Sequence, residues 1–169
     1  WAYTGIPYDP AEIIDVWELM LASVDRLQEN PCYRYDLVLV GKQVLANYAT
    51  VIQQKFREDY DTKDLPAFER NRREFMELID DVDALMATHE AFLLGKWIND
   101  AKRWGTTKEE SQLYEKNARD LVTLWGDKDA FLHDYASKQW AGLFKGFYKP
   151  RWEMFLTAVD DCIRNDKVF

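Results

Sequence analysis

A chain of 169 residues with 22 basic and 30 acidic side chains, net charge −8, is long enough for one self-sufficient core and lacks the basic face that gripping a phosphate backbone requires. Nucleic acid is therefore not an expected partner. No apolar run reaches the roughly 20 residues of a membrane span, and the amino-terminal WAYTGIPYDP has neither the basic nor the apolar region of a signal peptide. Seven glycines and five prolines are too few for a turn-rich β protein, so the expectation is an all-α single domain over residues 1–169.

Residues 1–9, with Gly5, Pro7 and three aromatics, read as an extended strap. Asp9-Pro10-Ala11-Glu12 supplies a capping carboxylate, a proline at the first helical position and a glutamate three residues after the cap. A first helix follows, with Ile13, Trp17, Met20, Val24 and Leu27 at helical spacing, and Asn30-Pro31 ends it. A second helix, Tyr33 to Tyr60, places Leu37, Val40, Val44, Tyr48, Val51 and Ile52 on its apolar stripe, with Gly41 at its middle for close packing. The polar break 61–64 precedes a third helix, Pro66 to Ala91, that repeats Phe75, Leu78, Ile79, Val82, Leu85 and Met86.

A fourth, shorter helix carries Leu94, Trp97, Ile98, Ala101 and Trp104, and Gly105-Thr106-Thr107 makes the next turn. Thr107 and Glu110 form a second capping box, opening a fifth helix that runs to Leu124, where Gly126 suits the left-handed residue that closes a helix. Two more helices, Ala130 to Phe147 and Pro150 to Asn165, complete a bundle of about six to seven helices.

Catalytic and metal motifs are missing. His89-Glu90 opens like a zinc-protease signature, but Leu93 stands where the second histidine belongs, and Met86 stands where a di-iron bundle would put glutamate. Asp59, Asp61 and Asp64 imitate a calcium loop, yet Lys63 takes a ligand position, Asp64 replaces the glycine and Arg70 replaces the terminal glutamate, which leaves a solvated turn. Glycine-rich phosphate loops and the nucleophile-elbow motif are absent, so no cofactor, no metal and no catalytic residue is assigned to this chain. The pairs Asp80-Asp81, Glu109-Glu110 and Asp160-Asp161 lie on charged faces and read as solvated. Cys32 and Cys162 have no CxxC spacing; one distant disulfide is left open.

The carboxy-terminal third is the most aromatic part of the chain, with eight rings in the 28 residues from Trp125 to Trp152. Leu132, Ala136, Trp140, Leu143 and Phe147 fit one helical stripe and read as core, whereas Tyr135 shares a neighbouring face with Gln139, Gly142 and Gly146. Aromatic rings stack on the apolar faces of sugars, and a Tyr hydroxyl can reach sugar hydroxyls. Taken alone, the residues favour Trp125 closing the bundle over Trp125 projecting from it.

Five segments change that balance: Tyr33-Arg34-Tyr35-Asp36-Leu37; Phe92-Leu93-Leu94-Gly95-Lys96-Trp97; Tyr114-Glu115-Lys116-Asn117-Ala118-Arg119; Leu124-Trp125-Gly126 followed by Asp134-Tyr135-Ala136-Ser137-Lys138-Gln139-Trp140-Ala141-Gly142-Leu143; and Tyr148-Lys149-Pro150-Arg151-Trp152. In order and spacing they resemble the carboxy-terminal helical domain of the α-N-acetylglucosaminidases, glycoside hydrolase family 89, over nearly the whole chain. The resemblance implies an exo-acting, retaining glycosidase whose two glutamates lie on an upstream (β/α)8 barrel of the same polypeptide, about 5–5.5 Å apart and outside this sequence. The helical domain would complete the pocket for a terminal α-linked N-acetylglucosamine and be inactive alone. The full-length protein would be exported: periplasmic or extracellular in bacteria, lysosomal in animals.

By the same resemblance the substrate-binding residues are Trp125, Tyr135 and Leu132. The loop 127–130 departs from the family's turn and is one residue longer, so that Leu132 or its neighbour Phe131 takes the third place. Arg34, Asp36, Arg119 and Arg151 also match family positions and are read as buried ion pairs, not ligand contacts. The competing reading is a helical interaction module whose aromatic patch docks a protein without touching sugar.

Overall fold

The computed structural model describes residues 5–126, 129, 131 and 135–169. Among them helices α1 (Pro10–Leu21), α2 (Val24–Leu27), α3 (Pro31–Thr62), α4 (Leu65–Ala87), α5 (Leu94–Lys102), α6 (Lys108–Val122) and α7 (Lys149–Arg164) form, with a 3₁₀ turn at Glu90–Phe92 and a π turn at Phe144–Tyr148. The all-α expectation therefore holds.

The helix starts follow their caps. The Asp9 carboxylate accepts from Ala11 N–H ahead of Pro10. Asn30 accepts from the N–H groups of Cys32 and Tyr33, with Pro31 at the first helical position. The Asn30-Pro31 pair, read as a stop, is thus a start, because proline's missing N–H is harmless there. The first helix does not run through to Asn30. It breaks at Ala22–Ser23, because the Met20 carbonyl that Val24 N–H would take accepts from Ser23 N–H at 2.9 Å and from Tyr33 Oη at 2.5 Å.

Helices α3 and α4 are an antiparallel hairpin closed by Lys63, left-handed at φ 56°, and reopened by Asp64, which accepts from Ala67 N–H at 3.0 Å. The main core fills the space between them and α7: Ile52 and Phe56 from α3, Phe68, Phe75, Leu78 and Ile79 from α4, Leu156, Val159 and Ile163 from α7. A second cluster, Val38, Val82, Met86, Phe92 and Ala141, lies toward the 3₁₀ turn. The buried face of α3 is Val38, Gly41, Asn47, Ile52, Phe56 and Asp59, rotated from the predicted stripe, and Tyr48 and Val51 are exposed. Because α1 covers one flank of α3 while α4 covers another, no single stripe describes it. Asp59 is buried, not solvated: Asn71 donates to it at 2.6 Å, and burial pushes its carboxyl up from the ordinary range.

Helix α4 ends at Ala87, short of the predicted Ala91, and Thr88 turns the chain into the 3₁₀ segment. The strap is tied down where Tyr8 Oη donates to buried Asn47 at 3.1 Å and accepts from Gln43. Cys32 and Cys162 are free thiols.

Helices α5 and α6 form a second hairpin through Gly105. Thr107 accepts from Glu110 N–H at 3.1 Å, while the Glu110 carboxylate returns to the N–H and hydroxyl of Thr106, one residue before the expected cap; these bonds hold the carboxyl below its usual range. A β-carbon on Gly105 would stand 2.4 Å from the backbone nitrogen of Ser111. Gly105→Ala is thus expected to destabilise by about 1–3 kcal/mol, since the obstacle is backbone and cannot rotate away. Thermal unfolding followed by circular dichroism measures this.

Candidate functional site

Helix α6 ends just before Trp125, and its last turns are braced from outside. Trp97 of α5 donates its indole N–H to the Ala118 carbonyl at 2.9 Å. Glu115 receives Lys102 at 2.8 Å and Arg119 at 2.7 Å, contacts that hold its carboxyl below the usual range. Trp125 N–H then folds back to the Asp120 carbonyl at 2.6 Å, and Trp125 itself takes the left-handed conformation, φ 69°. The sequence had given that role to Gly126. A bulky side chain at positive φ costs about 1–3 kcal/mol and persists only where the surroundings enforce it.

The predicted helix from Ala130 to Phe147 forms only at its end: residues 143–147 are helical and run through the π turn into α7, while its earlier described residues are not helical. Residues 135–136 are a turn and 137–140 have no regular secondary structure, Ser137 sits at φ 44°, and Ala141 makes a parallel bridge: its N–H donates to Phe92 at 2.8 Å and its carbonyl accepts from Leu94 at 3.1 Å. Gly142 follows at φ 89°, where glycine alone is unstrained. The helical face that was to group Tyr135 with Gln139, Gly142 and Gly146 therefore does not exist. Long-range partners take the backbone groups that helical bonds would have used, and local periodicity does not reveal such partners. Trp140, read as core, is half-buried against the second core cluster and packs on Trp97, ring centroids 5.9 Å apart, from a segment without regular secondary structure.

The structure nevertheless brings the two predicted aromatics together. The rings of Trp125 and Tyr135 lie 5.1 Å apart, inclined at 52°, with the residues 39% and 65% exposed. Leu132, the third predicted site residue, lies outside the described residues; Phe131 is 98% exposed. The other aromatics of this third divide: Phe144 and Trp152 pack against the core, Trp140 against the second cluster. Arg34, Asp36, Arg119 and Arg151 are all exposed, so the buried-ion-pair reading fails; Arg119 makes its pair with Glu115 at the surface. Asp80, read as solvated, is half-buried and receives Lys149 at 2.5 Å.

Two open cavities are lined by neither Trp125 nor Tyr135. One, of about 370 Å³, runs between α3 and α4 under Gln139, Phe144, Tyr148 and Trp152, with Lys42 at its lip. Burial pushes the Lys42 ammonium down, and its Nζ donates to Gln139 at 2.7 Å. The other, of about 430 Å³, lies on the α5–α6 hairpin against Trp97, Trp104, Tyr114, Asn117 and Leu121. Among the described residues no three His, Cys, Asp or Glu side chains cluster as a metal would need, and no helix is long and apolar enough to cross a membrane. Sequence reasoning missed Lys42, Asp83, Trp97 and Tyr148 as neighbours of the 135–145 segment, and nothing in their local spacing marks them.

Residues 2–169 match the model of the α-N-acetylglucosaminidase carboxy-terminal domain. Human α-N-acetylglucosaminidase is 34% identical over 161 residues, covering 95% of this chain and 22% of that protein. A family 89 glycoside hydrolase from Clostridium perfringens, solved with 2-acetamido-1,2-dideoxynojirmycin and, as a variant with two Glu→Gln substitutions, with its substrate GlcNAc-alpha-1,4-galactose, superposes with a TM-score of 0.90 at 29% identity. The superposition covers 97% of this chain and 19% of that one. The chain therefore spans about a fifth of the length of these relatives. Sequence and three-dimensional arrangement agree over nearly all of the chain, and the chain belongs to the family of α-N-acetylglucosaminidase carboxy-terminal domains.

Proposed function

We propose that this domain forms one wall of the substrate pocket of an exo-acting, retaining α-N-acetylglucosaminidase, with Trp125 and Tyr135 against a terminal α-linked N-acetylglucosamine and both catalytic carboxylates elsewhere in the polypeptide. The observation that carries this reading is the inclined, exposed Trp125–Tyr135 pair at the end of α6, held there by a left-handed Trp125. Rings so presented offer an apolar face to a sugar, and a phenol hydroxyl beside them offers a hydrogen bond. Leu132, or Phe131 in its place, completes the set carried over from the family. The bacterial relative's substrate, GlcNAc-alpha-1,4-galactose, is a sugar of the kind this wall would receive.

The partner is the (β/α)8 barrel upstream in the same chain. Leu113 and Leu121 on α6 and Leu124 just beyond its end are exposed, and Trp104, 80% exposed, lines an open cavity with Leu121, apolar surface suited to packing on another domain. The same face would serve the alternative reading, a docking module without sugar contact. The full-length protein is exported, to the periplasm or medium in bacteria and to the lysosome in animals.

Two measurements test the proposal, and the second separates it from the alternative. The isolated domain should not hydrolyse an aryl α-N-acetylglucosaminide; turnover by it would contradict the proposal. In the full-length enzyme Tyr135→Phe should lower kcat/KM roughly three- to tenfold, the value of one neutral hydrogen bond, with the melting temperature unchanged. Wild-type kinetics in Tyr135→Phe and Trp125→Ala together would favour the docking module.

A further inference from the structure

The segment that presents Tyr135 has no helix of its own to hold it, yet its carboxy-terminal part is anchored to α3, to α4, to the Phe92–Leu94 backbone and to the π turn. Tyr148 Oη donates to the Lys138 carbonyl at 2.9 Å. Lys42 of α3 donates to the Gln139 side chain at 2.7 Å. Ala141 bridges Phe92 and Leu94. Asp83 of α4 then receives two backbone donors on one oxygen: Gly142 N–H at 2.7 Å and Lys145 N–H at 3.1 Å. The last contact has a specific physical role. Gly142 to Lys145 open the helical run that continues into α7; the N–H groups of Leu143 and Phe144 bond back to the Trp140 carbonyl, and the carboxylate satisfies those of Gly142 and Lys145 as an N-cap would. Here the cap comes from a helix 59 residues earlier in the chain.

Asp83 is well placed to fix this end. Its neighbours Val82 and Met86 on α4 are buried in the second core cluster, so the carboxylate sits on a helix that cannot shift without disturbing the core. We propose that Asp83, with Lys42 as a second anchor, is a positioning residue for the Tyr135 side of the sugar-binding wall: it ties a segment without regular secondary structure to the rigid α3–α4 core, beside the contacts that Tyr148 and the Phe92–Leu94 backbone supply. The inference rests on the wall reading given above.

The test uses the full-length enzyme and an aryl α-N-acetylglucosaminide. Asp83→Ala should lower kcat/KM about tenfold or more, because a small displacement of a binding group weakens transition-state contacts. Asp83→Asn, whose amide oxygen accepts the same two N–H groups, should stay within about threefold of wild type. The Asp83→Ala and Tyr135→Ala double variant should lose no more than Tyr135→Ala alone, since one effect acts through the other. Lys42→Met, a change at the lip of the open cleft, should show a smaller loss that is likewise absorbed by Tyr135→Ala; if Asp83→Ala yields no folded enzyme, this variant decides.

Three results overturn the proposal: wild-type kinetics in Asp83→Ala and Lys42→Met where Tyr135→Ala is impaired, an Asp83→Asn as impaired as Asp83→Ala, or losses that multiply with that of Tyr135→Ala. If Trp125→Ala and Tyr135→Ala both keep wild-type kinetics, the wall reading itself has failed, and this inference with it.

Discussion

Replacing Trp125 with alanine in the full-length enzyme is expected to lower kcat/KM about 10- to 100-fold, the combined cost of a lost stacking face and a poorly held sugar ring. The fold should survive, because Trp125 belongs to neither core cluster and is 39% exposed. Its backbone makes a sharper version of the experiment available. Trp125 is left-handed at φ 69°, a conformation that glycine adopts freely and other residues pay for at about 1 kcal/mol or more. Trp125→Gly should therefore lose as much activity as Trp125→Ala while melting at the same temperature or higher. A variant that is both more stable and less active would mean that the strain is maintained for the position of the ring. Equal activity in all three proteins would mean that Trp125 only closes the helix.

Phe56→Ala is expected to have the largest effect on stability, about 3–5 kcal/mol, with a fall in melting temperature of roughly 10 °C. Phe56 is fully buried where α3, α4 and α7 meet. Its ring lies 5.6 Å from that of Phe68 and 5.4 Å from that of Phe75, and Phe75 continues to Trp152 at 4.8 Å. Truncation removes one member of an aromatic row and leaves a cavity that its neighbours on three helices can fill only by moving together. Against a total stability of about 5–15 kcal/mol, the loss is a large fraction. Urea unfolding with an unchanged slope would show that the native state, not the denatured ensemble, is affected. A loss below about 1 kcal/mol would mean that this junction repacks freely, contrary to the close contacts described.

Much of the fold was legible because its determinants are local. The caps at Asp9 and Thr107, the apolar repeat Phe75, Leu78, Ile79, Val82 and Met86 on α4, and the Gly105 turn all act within a few residues of where they stand, and the helices form there. Order and spacing of short segments likewise indicated the family and singled out Trp125 and Tyr135, which the fold brings to 5.1 Å. The misreadings arose where a distant group intervenes. Tyr33 takes the Met20 carbonyl and breaks the first helix. Placement of α1 and α4 on two flanks of α3 rotates its buried face away from the simplest stripe and buries Asp59.

The region around the candidate site divides in the same way. Its residue types were set by the chain itself: two aromatic rings, one carrying a phenol hydroxyl. Its geometry was decided by tertiary contacts. The apolar spacing between Ala130 and Phe147 satisfies a helix on paper, yet Asp83, Lys42, Tyr148 and the Phe92–Leu94 backbone hold residues 138–142 in another form, and the helical run begins only at residue 143. Periodicity reports only which residues would share a face if the helix formed; whether it forms depends on what else is offered to the same N–H and C=O groups. For this protein the sequence determined the helices and the chemistry of the rings, and packing between elements far apart in the chain determined where the rings stand.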